Sequence, residues 1–275
     1  MLDTLTHRWL KIPYTLNVRH NQRPKGAKVT LLFIHGIGNS GDAWRDVVNK
    51  MPPDVRVVTI DLLGFGDSPK PKWAIYNAKT QARSVLATFF KLRITTPVII
   101  IGHSLGALVA IEMAKRYPLV VNSLILCSPP LYDTDNKALI NNESVLMNLY
   151  KSAQKYPDQF MNAAAFASKY NLVNKSFSVT DKNIDSYMAA LGSMIINQTS
   201  LQDAYNLKVP TVIIRGTLDP FVVPRNFSKL TKQNSMITVT SVIAGHEVQG
   251  LFIPAVVKAI NNRLQVLNKS VKINK

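Results

Sequence analysis

The chain of 275 residues holds a single cysteine, Cys127. One thiol cannot close an intramolecular disulfide, so the fold must rest on a packed core and requires no oxidising compartment. Cys127 lies in the apolar run SLILCS, where it reads as a small buried hydrophobe. Acidic side chains are scarce as well: 16 Asp and Glu face 33 Lys and Arg, for a net charge of +17. Such an excess can signal a nucleic acid, an anionic surface or an acidic substrate. The bases are scattered singly, as in NVRHNQRPKGAK and LNKSVKINK, with no nucleic-acid-binding motif around them, so no nucleic acid partner is expected. Nowhere is there an apolar run of about 18 residues, and MLDTLTHRWLKIPYTL lacks the charged-then-apolar order of a signal peptide. A cytoplasmic protein without a membrane span is the expectation. The five histidines lack metal-ligand spacing, the cysteine has no partner, and no G-x-x-x-x-G-K-[ST] loop occurs, so neither metal nor cofactor is expected.

What is present is ordinary globular material, 47% hydrophobic and 18% charged, enough to bury a full core. LKIPYTLNV alternates, with Leu10, Ile12, Tyr14, Leu16 and Val18 on one side, and predicts a strand near a sheet edge, where Pro13 is tolerated. The runs VTLLFI (29–34), VRVVTI (55–60), VIII (98–101), LILC (124–127) and TVII (211–214) do not alternate. Continuous apolar runs suit strands covered on both faces, as in a mostly parallel sheet. MITVTSVI (236–243) reads as one more strand. Helical spacing over 80–92, 104–117 and from Phe252 onward separates them. This order predicts a three-layer α/β/α sandwich built on a mostly parallel central sheet. Residues 131–205 break the rhythm with helix-compatible sequence such as ESVLMNLYKSAQKY and NIDSYMAALGSMII and no evident strand. They read as a helical lid inserted into a core formed by residues 1–130 and 206–275.

The strand at 98–101 runs directly into Gly102-His103-Ser104-Leu105-Gly106 and then into a helix. A strand feeding a helix through so tight a turn puts the turn residue in a strained conformation with its side chain above the strand ends. In that context the pentapeptide resembles the nucleophile elbow of the α/β-hydrolase fold superfamily. HGIGNSGDAW after the strand 29–34 is similar to the His-Gly oxyanion loop of that family, and DLLGFGDS (61–68) also matches family sequences. The matching stretches cover most of the chain outside the insertion and imply a serine hydrolase, carboxylesterase-like, with a helical lid.

A serine hydroxyl needs a base, and the base an orienting acid. The family order of serine, acid, histidine points to Ser104 as nucleophile and to His246, in SVIAGHEV, as base. The loop TVIIRGTLDPFVVP resembles the family's acid-bearing loop and implies Asp219 as the acid, with Asp133 and Asp135 after the preceding strand as alternatives. Glu247 is expected to face solvent or to begin the last helix, and Asp61 and Asp67 to stabilise a turn. The resemblance implies an oxyanion hole from the backbone N–H groups of Ile37 and Leu105. His103 is expected at the substrate, and Trp44 either as a pocket wall or as packing beneath it.

Apolar residues of the insertion, among them Phe160, Phe166, Tyr170, Tyr187, Leu191 and Met194, serve mainly its own core, the remainder giving an apolar pocket for a small uncharged ester. Aspartate-nucleophile dehalogenases and epoxide hydrolases are excluded by Ser104. Three alternatives share the constellation: a carbon–carbon bond hydrolase, an acyltransferase, and a ligand-binding member with little turnover.

Overall fold

The computed structural model describes residues 2–133 and 143–273. Seven strands form one sheet in the order β1-β3-β2-β4-β5-β6-β7. They are β1 (Val18–Gln22), β2 (Thr30–Ile34), β3 (Arg56–Ile60), β4 (Val98–His103), β5 (Val121–Cys127), β6 (Thr211–Gly216) and β7 (Ile237–Val242). Only the β1 and β3 pair is antiparallel, and every other neighbouring pair is parallel.

The unalternating runs have their explanation in the two packed faces. In β2, Leu32 and Ile34 join one apolar cluster while Leu31 and Phe33 join the other, and β4 divides Val98 and Ile100 from Ile99 and Ile101 in the same way. One face is covered by α2 (Ala78–Lys91), α3 (Leu105–Arg116) and α8 (Pro224–Gln233), the other by the short α1 (Arg45–Val48) and α9 (Phe252–Ile273). The result is the three-layer sandwich. Cys127 is fully buried in the second cluster, and burial pushes its thiol pKa up, which leaves it an inert packing residue.

The first strand differs from the reading of the sequence. Residues 10–17 are not extended into the sheet; β1 begins at Val18, and a short helical stretch, Thr4–Trp9, precedes it. The backbone donors that a strand would spend on a ladder go to side chains instead: Leu16 N–H to Thr88 Oγ1 (2.9 Å) and Asn17 N–H to Ser68 Oγ (2.8 Å). Tyr14 and Leu16 plug the core while Leu10 and Ile12 stay in solvent, so the alternation reflects two anchors in a loop.

Between β5 and β6 the described residues contain helices only: α4 (Glu143–Lys155), α5 (Pro157–Lys169), α6 (Ile184–Ala190) continued by a π-helical turn (Leu191–Ile196), and α7 (Ser200–Tyr205). Ser178 N–H donates to the Gly38 carbonyl (2.8 Å), Ser176 Oγ–H to Asn39 Oδ1 (2.9 Å) and Ser193 Oγ–H to the Tyr76 carbonyl (2.9 Å). These bonds tie the helical segment to the loops that leave β2 and β3. Because β2 to β7 run in parallel, those loops share one side of the sheet with the segments that follow β4, β6 and β7.

Candidate active site

Ser104 stands between β4 and α3 with φ 50° and ψ −119°, a left-handed conformation that a residue with a Cβ rarely adopts. Such strain costs on the order of 1–3 kcal/mol and persists only where the surroundings enforce it. Ser104 N–H donates to the Cys127 carbonyl (2.9 Å), and Ala107 N–H to the Ser104 carbonyl (2.9 Å). The flanking glycines are needed for contact. A Cβ on Gly102 would stand 2.5 Å from the Gly106 carbonyl oxygen, and one on Gly106 only 2.4 Å from that of Ile34. The second approach sets the start of α3 directly against the end of β2.

Around the serine the structure gathers residues far apart in sequence. His246 Nε2 lies 3.0 Å from Ser104 Oγ, and His246 Nδ1 lies 2.8 Å from Asp219 Oδ2. The other carboxylate oxygen of Asp219 accepts from Phe221 N–H (2.8 Å), so this aspartate both forms a turn and faces the histidine. Burial disfavours its ionised form, but the bond and charge of His246 together with the amide of Phe221 outweigh that and hold the carboxyl below its usual range. Asp133 has no bond to His246, and Asp135 lies outside the described residues. Glu247 is half-buried rather than turned fully to solvent.

The amides of Ile37 and Leu105 donate to no described residue. Leu105 opens α3, where the first N–H groups have no partner within the helix. The orientation of Ile37 N–H follows from its peptide plane. His35 Nδ1–H donates to the Gly36 carbonyl (2.7 Å), and Asn39 N–H donates to the same oxygen (3.2 Å). The peptide is trans, so Ile37 N–H points away from that held carbonyl. His35 can donate from Nδ1 because Leu62 N–H donates to Nε2 (2.9 Å), which fixes the tautomer. Full burial drives the His35 pKa down to about 4, so the ring is neutral at ordinary pH.

His103 departs from its expected place at the substrate. It is buried, and its Nε2–H donates to the backbone carbonyl of His246 (2.9 Å), with the two rings 5.0 Å apart. Burial lowers its pKa, which keeps it a neutral donor holding the histidine-bearing loop. Trp44 is 1% exposed, its ring tilted 53° to that of Phe33 at 5.3 Å, in the core cluster beneath α9. Asp61 organises the turn. Burial opposes its ionisation, yet Gly41 N–H, Asp67 N–H, the Asn17 amide and the Arg19 guanidinium hold its carboxyl below the usual range.

From the helical segment, the rings of Phe177 and Tyr187 lie against Gly38 of the loop after β2, and Phe160 packs on Tyr187 at 5.5 Å. Phe166 and Tyr170 point outward, while Leu191 and Met194 are buried. Asn174 and Ser176, unmarked in the sequence, help line a polar cleft of about 640 Å³ beside Ser40 and Gln249.

A sequence profile of the α/β hydrolase fold matches residues 29–251. Probable lysophospholipase BODYGUARD 1 of Arabidopsis thaliana is 30% identical over 162 residues, 56% of this chain and 33% of that protein. The chain spans a third or less of the length of the curated plant relatives it matches. Among solved structures, a thermophilic esterase from Thermogutta terrifontis superposes with a TM-score of 0.72 at 18% identity, covering 91% of this chain and 93% of that one. The enol-lactonase of Burkholderia xenovorans LB400 gives 0.74 at 19% identity, covering 91% and 96%.

Proposed function

Because the chain belongs to the α/β-hydrolase fold family, we propose that it is a serine hydrolase that cleaves a small uncharged carboxylic ester through an acyl-enzyme on Ser104. The observation that carries this reading is the pair of contacts made by one imidazole, 3.0 Å to Ser104 Oγ and 2.8 Å to Asp219 Oδ2. With its proton on Nδ1 and directed at the carboxylate, His246 offers the Nε2 lone pair to the serine O–H. As Oγ attacks the ester carbon, Nε2 takes the proton and Asp219 stabilises the imidazolium. The negative charge that develops on the carbonyl oxygen is met by the N–H groups of Ile37 and Leu105, each contributing about 3 kcal/mol at the transition state. Collapse expels the alcohol, which receives the proton from Nε2. A water deprotonated by the same nitrogen then attacks the acyl-enzyme and releases the acid, restoring Ser104 O–H.

Residues 131–205 act as the lid in this reading, supported by the bonds from Ser176 and Ser178 to the loop after β2. The rings of Phe177 and Tyr187 against Gly38 favour an apolar acyl or alcohol group beside the oxyanion amides. The names of the similar proteins, lysophospholipase, esterase and lactonase, agree with an acyl–oxygen bond as the target. The test is hydrolysis of p-nitrophenyl esters from acetyl to decanoyl, with lysophosphatidylcholine alongside, by wild type and Ser104→Ala. Turnover by wild type that falls at least about a thousandfold in the variant supports the reading. Equal turnover by both proteins, or none by wild type on any ester, overturns it.

A further inference from the structure

The residues before β1 form a pinned strap whose outer face is apolar. Thr4–Trp9 is a short π-helical stretch, closed by Leu10 N–H to the Leu5 carbonyl (2.9 Å) and Ile12 N–H to the Thr6 carbonyl (3.1 Å). The strap is braced by two contacts within itself and one to α2. The His7 ring stacks on Tyr14 at 3.6 Å, Tyr14 O–H donates to Asp3 (2.8 Å), and an Arg83 N–H donates to the Lys11 carbonyl (2.8 Å). Yet Leu2, Leu5, Trp9, Leu10 and Ile12 are exposed, Trp9 at 73% and Leu10 at 64%. Ile75, 67% exposed on the loop that leaves β3, borders a cleft of about 290 Å³ shared with Ile12 and rimmed by Arg8, Lys11 and Arg83.

Isolated exposed apolar side chains are ordinary on a protein surface. Here five gather on one strap, a tryptophan among them, and Ile75 of the loop after β3 lines the same cleft as Ile12. The charge around them is predominantly positive. Arg8 and Lys11 are exposed within the strap and Lys72 and Lys79 are exposed near Ile75, against two exposed carboxylates, Asp3, which accepts from Tyr14 O–H, and Asp185, which acts on Tyr76. An apolar face ringed by cations is complementary to a surface that offers both acyl chains and negative charge.

We propose that this strap docks the protein on an anionic lipid bilayer, Trp9, Leu10 and Ile75 entering the boundary between headgroups and acyl chains while Arg8 and Lys11 meet lipid phosphates. Among the described residues no helix is long and apolar enough to cross a membrane, so the contact is with the surface. The loop carrying Ile75 leaves the C-terminal end of β3, on the side of the sheet where Ser104 sits, and the Ser193 bond to the Tyr76 carbonyl joins it to the helical segment. Docking therefore turns the candidate site toward the lipid. The proposal stands whether or not the site hydrolyses esters.

The test is flotation of the full chain with vesicles of phosphatidylcholine alone and of phosphatidylcholine containing about 30% phosphatidylserine. Binding to the anionic vesicles is expected, weakening as salt rises from about 0.1 to about 1 M. Arg8→Ala with Lys11→Ala should lower partitioning by about thirtyfold. Trp9→Ser with Leu10→Ser should lower it by at least about tenfold, with circular dichroism and thermal unfolding as in wild type because both side chains are exposed. Absence of binding to anionic vesicles, equal binding to the two lipids, or unchanged binding by both variants overturns the proposal. So does self-association on size exclusion that Trp9→Ser with Leu10→Ser removes while vesicles bind nothing, which would make the face an interface between copies.

Discussion

Asp219→Asn is the perturbation that bears most directly on the proposed mechanism, because the structure dictates how the new amide must sit. Asp219 uses one oxygen for Phe221 N–H and the other for His246 Nδ1, both at 2.8 Å. An asparagine can satisfy Phe221 N–H only with its oxygen, which turns its NH2 group toward His246. That group donates and cannot accept, so Nδ1 must give up its proton to Nε2. Nε2–H then faces Ser104 and cannot take the hydroxyl proton, although every heavy atom keeps its position. Loss of the base in this way is expected to lower kcat by about 10³- to 10⁴-fold, or about 4–5.5 kcal/mol in the barrier. KM should change little, since no substrate contact is removed. The assay is the steady-state rate on the best p-nitrophenyl ester, with Asp133→Asn as the comparison, expected within about twofold of wild type. If Asp219→Asn keeps more than about a tenth of the activity, or Asp133→Asn costs more, the tautomer argument fails.

Two further outcomes follow from packing and burial. Gly106→Ala should destabilise the fold by about 1–3 kcal/mol, since its Cβ has no room beside the Ile34 carbonyl. By moving Leu105 N–H away from the oxyanion position it should also lower kcat more than it raises KM; a Tm and kcat equal to wild type would contradict the close approach. His35, buried neutral with its pKa down at about 4, ties stability to acid. The unfolded ring binds a proton near its ordinary value of about 6.5 and the folded ring does not until about 4, so stability is full above that window and falls as pH drops through it, by about 3 kcal/mol. Urea unfolding across this range should show that extra slope in wild type and lose it in His35→Gln; equal slopes would mean that the ring is protonated without penalty.

The sheet was legible because burial on both faces leaves a clear trace: β2 to β6 send alternate side chains into two apolar clusters, so their runs do not alternate, and even the polar Arg56 and Thr59 of β3 are buried. Residues 10–18 show where the same reasoning stops. Alternation records which side chains are buried, and Tyr14 and Leu16 are, but whether the backbone pairs with a strand or with Thr88 and Ser68 depends on groups dozens of positions away. The helix α8 has a mark in the sequence too, Pro224 at its first turn followed by Phe227 and Leu230 on one face. At the site, Ser104, Asp219 and His246 were legible through the resemblance to the family's order of serine, acid and histidine, and because each follows a strand of a parallel sheet their positions fall on one side of it. His103 and His35 were not assigned their observed contacts because a histidine's part is set by what its two nitrogens reach. One holds the His246 carbonyl and the other the carbonyl of the Gly36–Ile37 peptide. Both therefore act on backbone that is itself proposed to do chemistry: one steadies the loop of the base, the other aims an oxyanion donor. Residue type and spacing carry no mark of such contacts, which arise only when the loops after β2, β4 and β7 are folded against one another.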